Sequence, residues 1–270
     1  MACRNAYKIK TWGIDYSINN KDLKKQKSED DKKLHQFLFG VDSLTRADIV
    51  LQNNLTEFEW VKRNKLYPVF WGRNIVGDNA LTLDEINFIH RKGTLVAPIV
   101  YCPSKTDLEH QGIEAAESFV TVVQSLRIPR GIAIFLEIPE AANVSCAFIK
   151  GYAKGMLING FVPGFKANTD AQFSFDREFS RGMQNYREIF EQCLVWAVAP
   201  TIEEYERMTT SHLLHPDEWK PFAPSGIKRS EIAIWQYGKE CHPILDDNDQ
   251  ETSFNLNLVR NEIIIKEKMY

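Results

Sequence analysis

The decapeptide "GIAIFLEIPE", Gly131 to Glu140, runs apolar and then meets an acid, Glu137, followed by Pro139 and a second acid, Glu140. A strand this apolar has no structural need for a carboxylate at its C-terminal end, so Glu137 is a candidate proton donor. "WGIDYS" sets another acid, Asp15, at the end of a second short apolar run. Two converging carboxylates suit glycoside hydrolysis. One protonates the leaving oxygen; the other stabilises the developing positive charge or positions water. Other run ends supply Trp71, Arg73, Tyr101, Trp196, Trp235 and Gln236. Flat rings stack on pyranose faces and amides meet hydroxyls, so the set reads as a sugar subsite. Each residue also has a plainer reading. Asp15 could cap a turn or pair with Arg73, and Glu137 could sit in a structural ion pair. The three tryptophans could be barrel packing, and Glu140 suits a helix N-terminus, where the macrodipole favours an acid.

Other chemistries are weaker. Cys241 and His242 are neighbours, but adjacency in sequence does not make a nucleophile–base pair, and Cys102 reads as a small core residue. The six histidines show no His-x-His or His-Glu-x-x-His spacing, which argues against zinc. "LDDNDQE" puts Asp247, Asp249 and Glu251 at alternate positions without the glycine and distal glutamate of a calcium loop. No Walker loop is present. We therefore expect no metal and no cofactor.

The elements that must position these residues alternate along the chain. Apolar or β-branched runs occur at "WGIDYS", "LYPVFWG", "TLVAPIVY", "GIAIFLEI", "FVPGF", "CLVWAVAP", "EIAIWQY" and "SFNLNLV". Helical patterns separate most of them. "LTLDEINFIHRKG" opens with Thr82 and Glu85 at capping-box spacing and stops at Gly93. "GIEAAESFVTVVQSLRIP" ends at Pro129, "AANVSCAFIKGYAKGMLINGF" ends around Gly160, and "TIEEYERMTTSHLLH" follows Pro200 with Thr201 as expected N-cap. Near-continuous hydrophobic strands alternating with helices predict a parallel sheet covered on both faces. Eight runs fit a single α/β domain over 1–270, a closed (β/α)8 TIM barrel. An open doubly wound sheet fits the pattern nearly as well, but its glycine-rich turn after the first strand is missing. The charged stretch at 19–33 reads as a solvated loop insertion.

Composition bounds the partners. In 270 residues the net charge is −3, which provides no long-range field for nucleic acid. No apolar run approaches the roughly 20 residues of a membrane span. The N-terminal residues lack the apolar segment of a secretory signal, and five cysteines without close pairs read as reduced thiols. The expected location is cytoplasmic, or the cell envelope or exterior if a leader has been trimmed. No feature speaks to the oligomeric state.

The order of "GIDYS", "FWGRNI…LTLDEINFIHRKGTLVAPIVY", "GIAIFLEI", "GYAKGMLINGFVPGFKANTD", "LVWAVAP" and "IAIWQYG…FNLNLV" resembles the glycoside-hydrolase-like domain of unknown function. That is a TIM-barrel family related to glycoside hydrolase family 25 lysozymes. The likeness runs from about Trp12 to Val259. It implies a (β/α)8 barrel with a groove for peptidoglycan or a related polysaccharide. It also implies an aspartate closing the first strand, where Asp15 stands, and an Asp-x-Glu closing the fourth. Here that triplet is Phe135, Leu136, Glu137, and the Asp-Leu-Asn of the last strand reads Asn255, Leu256, Asn257. Three functions follow as expectations. The first is a glycosidase with Glu137 as acid and Asp15 as partner, its subsites lined by Arg73, Tyr101, Trp196, Trp235 and Gln236, with Trp71 and Asn255 also near substrate. The second is a non-catalytic glycan-binding or interaction module whose catalytic set is eroded at Phe135 and Asn255. The third is a barrel enzyme on a small metabolite, against which the missing phosphate-gripping glycine pair counts.

Overall fold

A computed structural model describes residues 37–202, 207–208, 216, 218–243 and 252–270. Asp15, the run around it, the charged stretch 19–33 and Asp247, Asp249 and Glu251 lie outside the described residues. Among the described residues there are nine strands: β1 Leu38–Asp42, β2 Phe70–Asn74, β3 Leu95–Tyr101, β4 Ala133–Ile138 and β5 Val162–Asn168, then β6 Leu194–Ile202, β7 Arg207–Met208, β8 Ile234–Pro243 and β9 Phe254–Val259. Strands β1 to β6 pair in order, β6 pairs with β8, β8 with β9, and β9 with β1, so eight strands close a ring. The short β7 adds to the far end of β8. The chain therefore folds as the expected (β/α)8-type barrel.

Besides a first strand at Leu38–Asp42, a run the sequence reading does not count, two features depart from that reading. First, β9 runs antiparallel to both neighbours. An antiparallel neighbour needs no crossover helix, so the last strand follows β8 after a short link. Second, Thr201 lies within β6, not at a helix N-cap.

Strand alternation sorts the core into two layers. Phe70, Ala97, Ile99, Ala133, Phe135, Trp196, Ile234 and Val259 face inward and form one buried cluster. Ile265 and Met269, from helix α7 (Glu262–Lys268) and just beyond it, join this cluster. Residues of the other parity, among them Val41, Trp71, Val96, Leu136 and Trp235, pack in a larger cluster with the helices. Inside the ring, large rings sit opposite glycines. A Cβ on Gly164 would fall 2.5 Å from the Phe135 ring, and one on Gly72 would fall 2.5 Å from Asp42 Cβ and 2.9 Å from Trp196. The barrel interior is thus a filled core, with polar groups confined to its C-terminal end.

Several helices start at side-chain caps. In α1 (Glu57–Arg63), Thr56 and Glu59 form a reciprocal capping box. Thr82 accepts from Glu85 N at the start of α2 (Leu83–Arg91), and Gly93 turns the chain beyond its end with φ 77°. Then follow α3 (Glu109–Ser125), α4 (Cys146–Ile158, capped by Ser145), α5 (Ser174–Asn185) and the single turn α6 (Arg187–Phe190).

Candidate functional site

The C-terminal strand ends carry the chemistry. Asp42 closes β1 inside the ring, and Glu137 stands next to last on β4. Register sets Glu137 beside Lys166 of β5, and Lys166 beside Trp196 of β6. All three side chains point inward. The Lys166 Nζ lies 2.6 Å from Asp42 Oδ2 and 3.0 Å from Glu137 Oε1, bridging the two acids. Asp42 is further held from β9: Asn257 Nδ2 donates to Oδ1 at 2.7 Å and Asn255 Nδ2 to Oδ2 at 2.8 Å. Asn257 is itself fixed, its Oδ1 accepting from Trp196 Nε1 at 2.9 Å. The Lys166 ammonium also sits 5.1 Å from the centre of the Trp196 ring, within cation–π range.

Burial differs across this network. Lys166 and Asp42 side chains are only 3% and 5% exposed, whereas Glu137 is 27% exposed and looks into the mouth. Burial disfavours the charged ammonium, but Asp42 and Glu137 together more than offset it and raise the Lys166 pKa above its ordinary value. Lys166 is therefore a fixed cation and not a nucleophilic amine. Tyr101 closes β3, with its hydroxyl accepting from Asn74 Nδ2 at 2.7 Å. Burial, and then the negative charge of Glu137, raise its phenol pKa and keep it neutral. At the rim, Asn168 donates to Glu140 at 2.8 Å.

Several sequence candidates lie elsewhere. Arg73 has the opposite parity to Gly72 and Asn74, so it faces the helices, fully buried. It donates to Glu85 Oε1 at 2.7 Å and to the carbonyls of Ser43 and Asn79. It ties the end of β2 to the start of α2 and lines no subsite. Trp71 also faces outward, stacked on Phe58 with ring centres 5.2 Å apart. Trp235 is buried in the same outer layer, donating to the Ala199 carbonyl at 2.8 Å. Trp196 does face inward, but it is buried beneath the mouth with Phe135 edge-on to it at 5.2 Å, so it offers no open platform. Gln236 points into the ring opposite Asn257 and is 2% exposed. Of the candidates, Glu137, Tyr101, Asn255 and Gln236 belong to the mouth. Asp15 falls outside the described residues.

Reasoning from sequence passed over Asp42 and Lys166. Both carried a readable signal. "GVDS" repeats the pattern of "GIDYS", an acid ending a short apolar run. Lys166 interrupts "FVPGFKAN" as Glu137 interrupts its own strand, but the run was cut at Phe165.

Among the described residues, no group of three or more His, Cys, Asp or Glu is arranged to hold a metal ion. Cys241 is buried, which pushes its thiol up to about 12, as it does that of Cys102. Neither is an activated nucleophile. No described helix is long and apolar enough to cross a membrane.

No family model and no curated protein matches the chain. Solved structures do. An uncharacterized protein of B. stearothermophilus is 24% identical, with 86% of this chain and 100% of that one covered at a TM-score of 0.69. A family GH25 lysozyme from Aspergillus fumigatus is 13% identical, covering 86% and 99% at 0.48. GHIP, a glycosyl hydrolase 25 of Streptococcus pneumoniae, is 12% identical, covering 94% and 97% at 0.49. The chain is a closed eight-stranded α/β barrel whose structural neighbours include lysozymes of glycoside hydrolase family 25.

Proposed function

We propose that the barrel mouth binds a glycan of the peptidoglycan or related cell-wall type, and does not cleave it by proton donation from Glu137. One observation carries this reading: Lys166 lies within hydrogen-bond distance of both carboxylates. A glycosidase pair needs one carboxyl to bring a proton to the leaving oxygen and another free to act on the anomeric carbon or on water. Here both acids pair with the same ammonium, and Asp42 is buried beneath three donors. Phe135, where the resembled family carries a third acid, is packed against Trp196. The rim supports a saccharide ligand. Tyr101, Glu137, Asn168 and Glu140 offer an aromatic ring, an amide and carboxylates, the groups that meet sugar hydroxyls.

Hydrolysis is the second reading, and the partial exposure of Glu137 favours it. Calorimetric titration with soluble peptidoglycan fragments and chitooligosaccharides, on the native protein and on Glu137→Gln, separates the two. Binding reads as saturable heat in the native protein, weakened about tenfold or less by the substitution, with the ligand recovered intact. Steady heat of reaction that vanishes in Glu137→Gln supports hydrolysis instead.

A further inference from the structure

We propose that the mouth selects a cationic saccharide: one carrying a free, protonated amine, as in a de-N-acetylated hexosamine, in preference to its N-acetylated counterpart. This rests on the glycan-binding reading and names its ligand class.

The donors and acceptors at the mouth are unevenly matched. Lys166 donates to Asp42 and pairs with Glu137, Asn255 and Asn257 donate to Asp42, Trp196 to Asn257, Asn74 to Tyr101 and Asn168 to Glu140. Each of these donor side chains makes at least one bond inside the protein. The Tyr101 hydroxyl, accepting from Asn74, keeps one O–H for a sugar hydroxyl. Acceptors, by contrast, are left over. Asn74 Oδ1 and Gln236 Oε1 are buried and have no hydrogen-bond partner, and both side chains point into the ring, from β2 and from β8. A buried acceptor without a donor is unfavourable until something supplies one. Charge is uneven in the same sense. Among the described residues of this network, the carboxylates of Asp42, Glu137 and Glu140 stand against the ammonium of Lys166.

An ammonium brings three N–H donors and a positive charge to two buried acceptors without donors and to a network whose described carboxylates outnumber its lysine. An acetamide brings one N–H and no charge. Both imbalances favour the free amine.

The test compares chitotetraose with its fully deacetylated tetramer, and adds tetralysine as a cation that is not a sugar, by calorimetry at neutral pH. The deacetylated tetramer binds at least about tenfold more tightly than chitotetraose, and tetralysine binds more weakly than it. Raising the pH until the sugar amine is neutral removes the preference. Glu140→Gln, an exposed change, and Asn74→Leu each reduce it, and the Glu140→Gln melting temperature stays within a degree or so of the native value. Equal or tighter binding of chitotetraose overturns the selection while leaving glycan binding intact. Tetralysine binding as tightly as the deacetylated tetramer overturns the saccharide as ligand. Binding of neither tetramer overturns both readings.

Discussion

Lys166 is the residue on which the mouth turns. Its ammonium is buried between two acids, and removing it leaves Asp42 with no counter-charge in a place water barely reaches. Lys166→Met should destabilise the fold by about 3–5 kcal/mol in urea unfolding, the usual effect of breaking a buried pair. Adding Asp42→Asn should recover part of that loss; no recovery would mean the lysine acts through packing alone. A second buried acid gives a pH signature. Glu57 accepts from Ser43 Oγ at 2.8 Å and Thr252 Oγ1 at 3.1 Å, behind the mouth. Burial pushes its pKa up to about 8 from 4.5, against the lowering effect of those hydroxyls and of Arg73, while Glu85 adds to the rise. Its contribution to stability is full below about 4.5, where both states hold the proton. It is lost as pH rises to about 8, because the unfolded chain ionises first. Stability should therefore fall through that window, by up to about 1.4 kcal/mol per pH unit. In Glu57→Gln the slope should be shallower. Identical slopes would show that Glu57 does not carry the proton.

At the scale of elements, α3 and α4 meet backbone to backbone. A Cβ on Gly151 of α4 would stand 2.0 Å from the Glu109 carbonyl oxygen at the start of α3. That oxygen is main chain and cannot swing aside. Gly151→Ala should destabilise by about 1–3 kcal/mol, the range of overpacking, seen as a lower urea midpoint at unchanged slope. It should also disturb the ion pairs from Lys150 and Lys154 to Glu109 at 2.6 and 2.7 Å. Most elements were legible, because hydrophobic period and caps are local. Thr82, Gly93 and the run through Glu137 stand as the sequence suggested. What escaped was parity. Trp71, Arg73 and Trp235 close apolar runs in the sequence as Tyr101 and Glu137 do, but alternate positions face the helices, and a one-residue difference decides which side a group serves. A run end read without its parity cannot distinguish Arg73 from a mouth residue. The first strand was obscured for another reason: "LFGVD" is short and follows a charged stretch, so nothing local distinguishes it from the run at "GIDYS".

For the molecule as a whole, barrel closure and site assembly are one event. The antiparallel β9 seals the ring between β1 and β8, and the same strand brings Asn255 and Asn257 to Asp42. Pairing between strands distant in sequence is invisible to local pattern. The sequence could therefore suggest eight strands and a rim, but not that a lysine on the fifth would stand between acids on the first and fourth. The central claim is that this lysine makes the mouth a place that holds glycan without cutting it. Mass spectrometry of chitooligosaccharides and muropeptides after prolonged incubation with the native protein tests it most directly. Every chain length should survive unchanged; shorter products that disappear when Glu137→Gln replaces the native protein would overturn it.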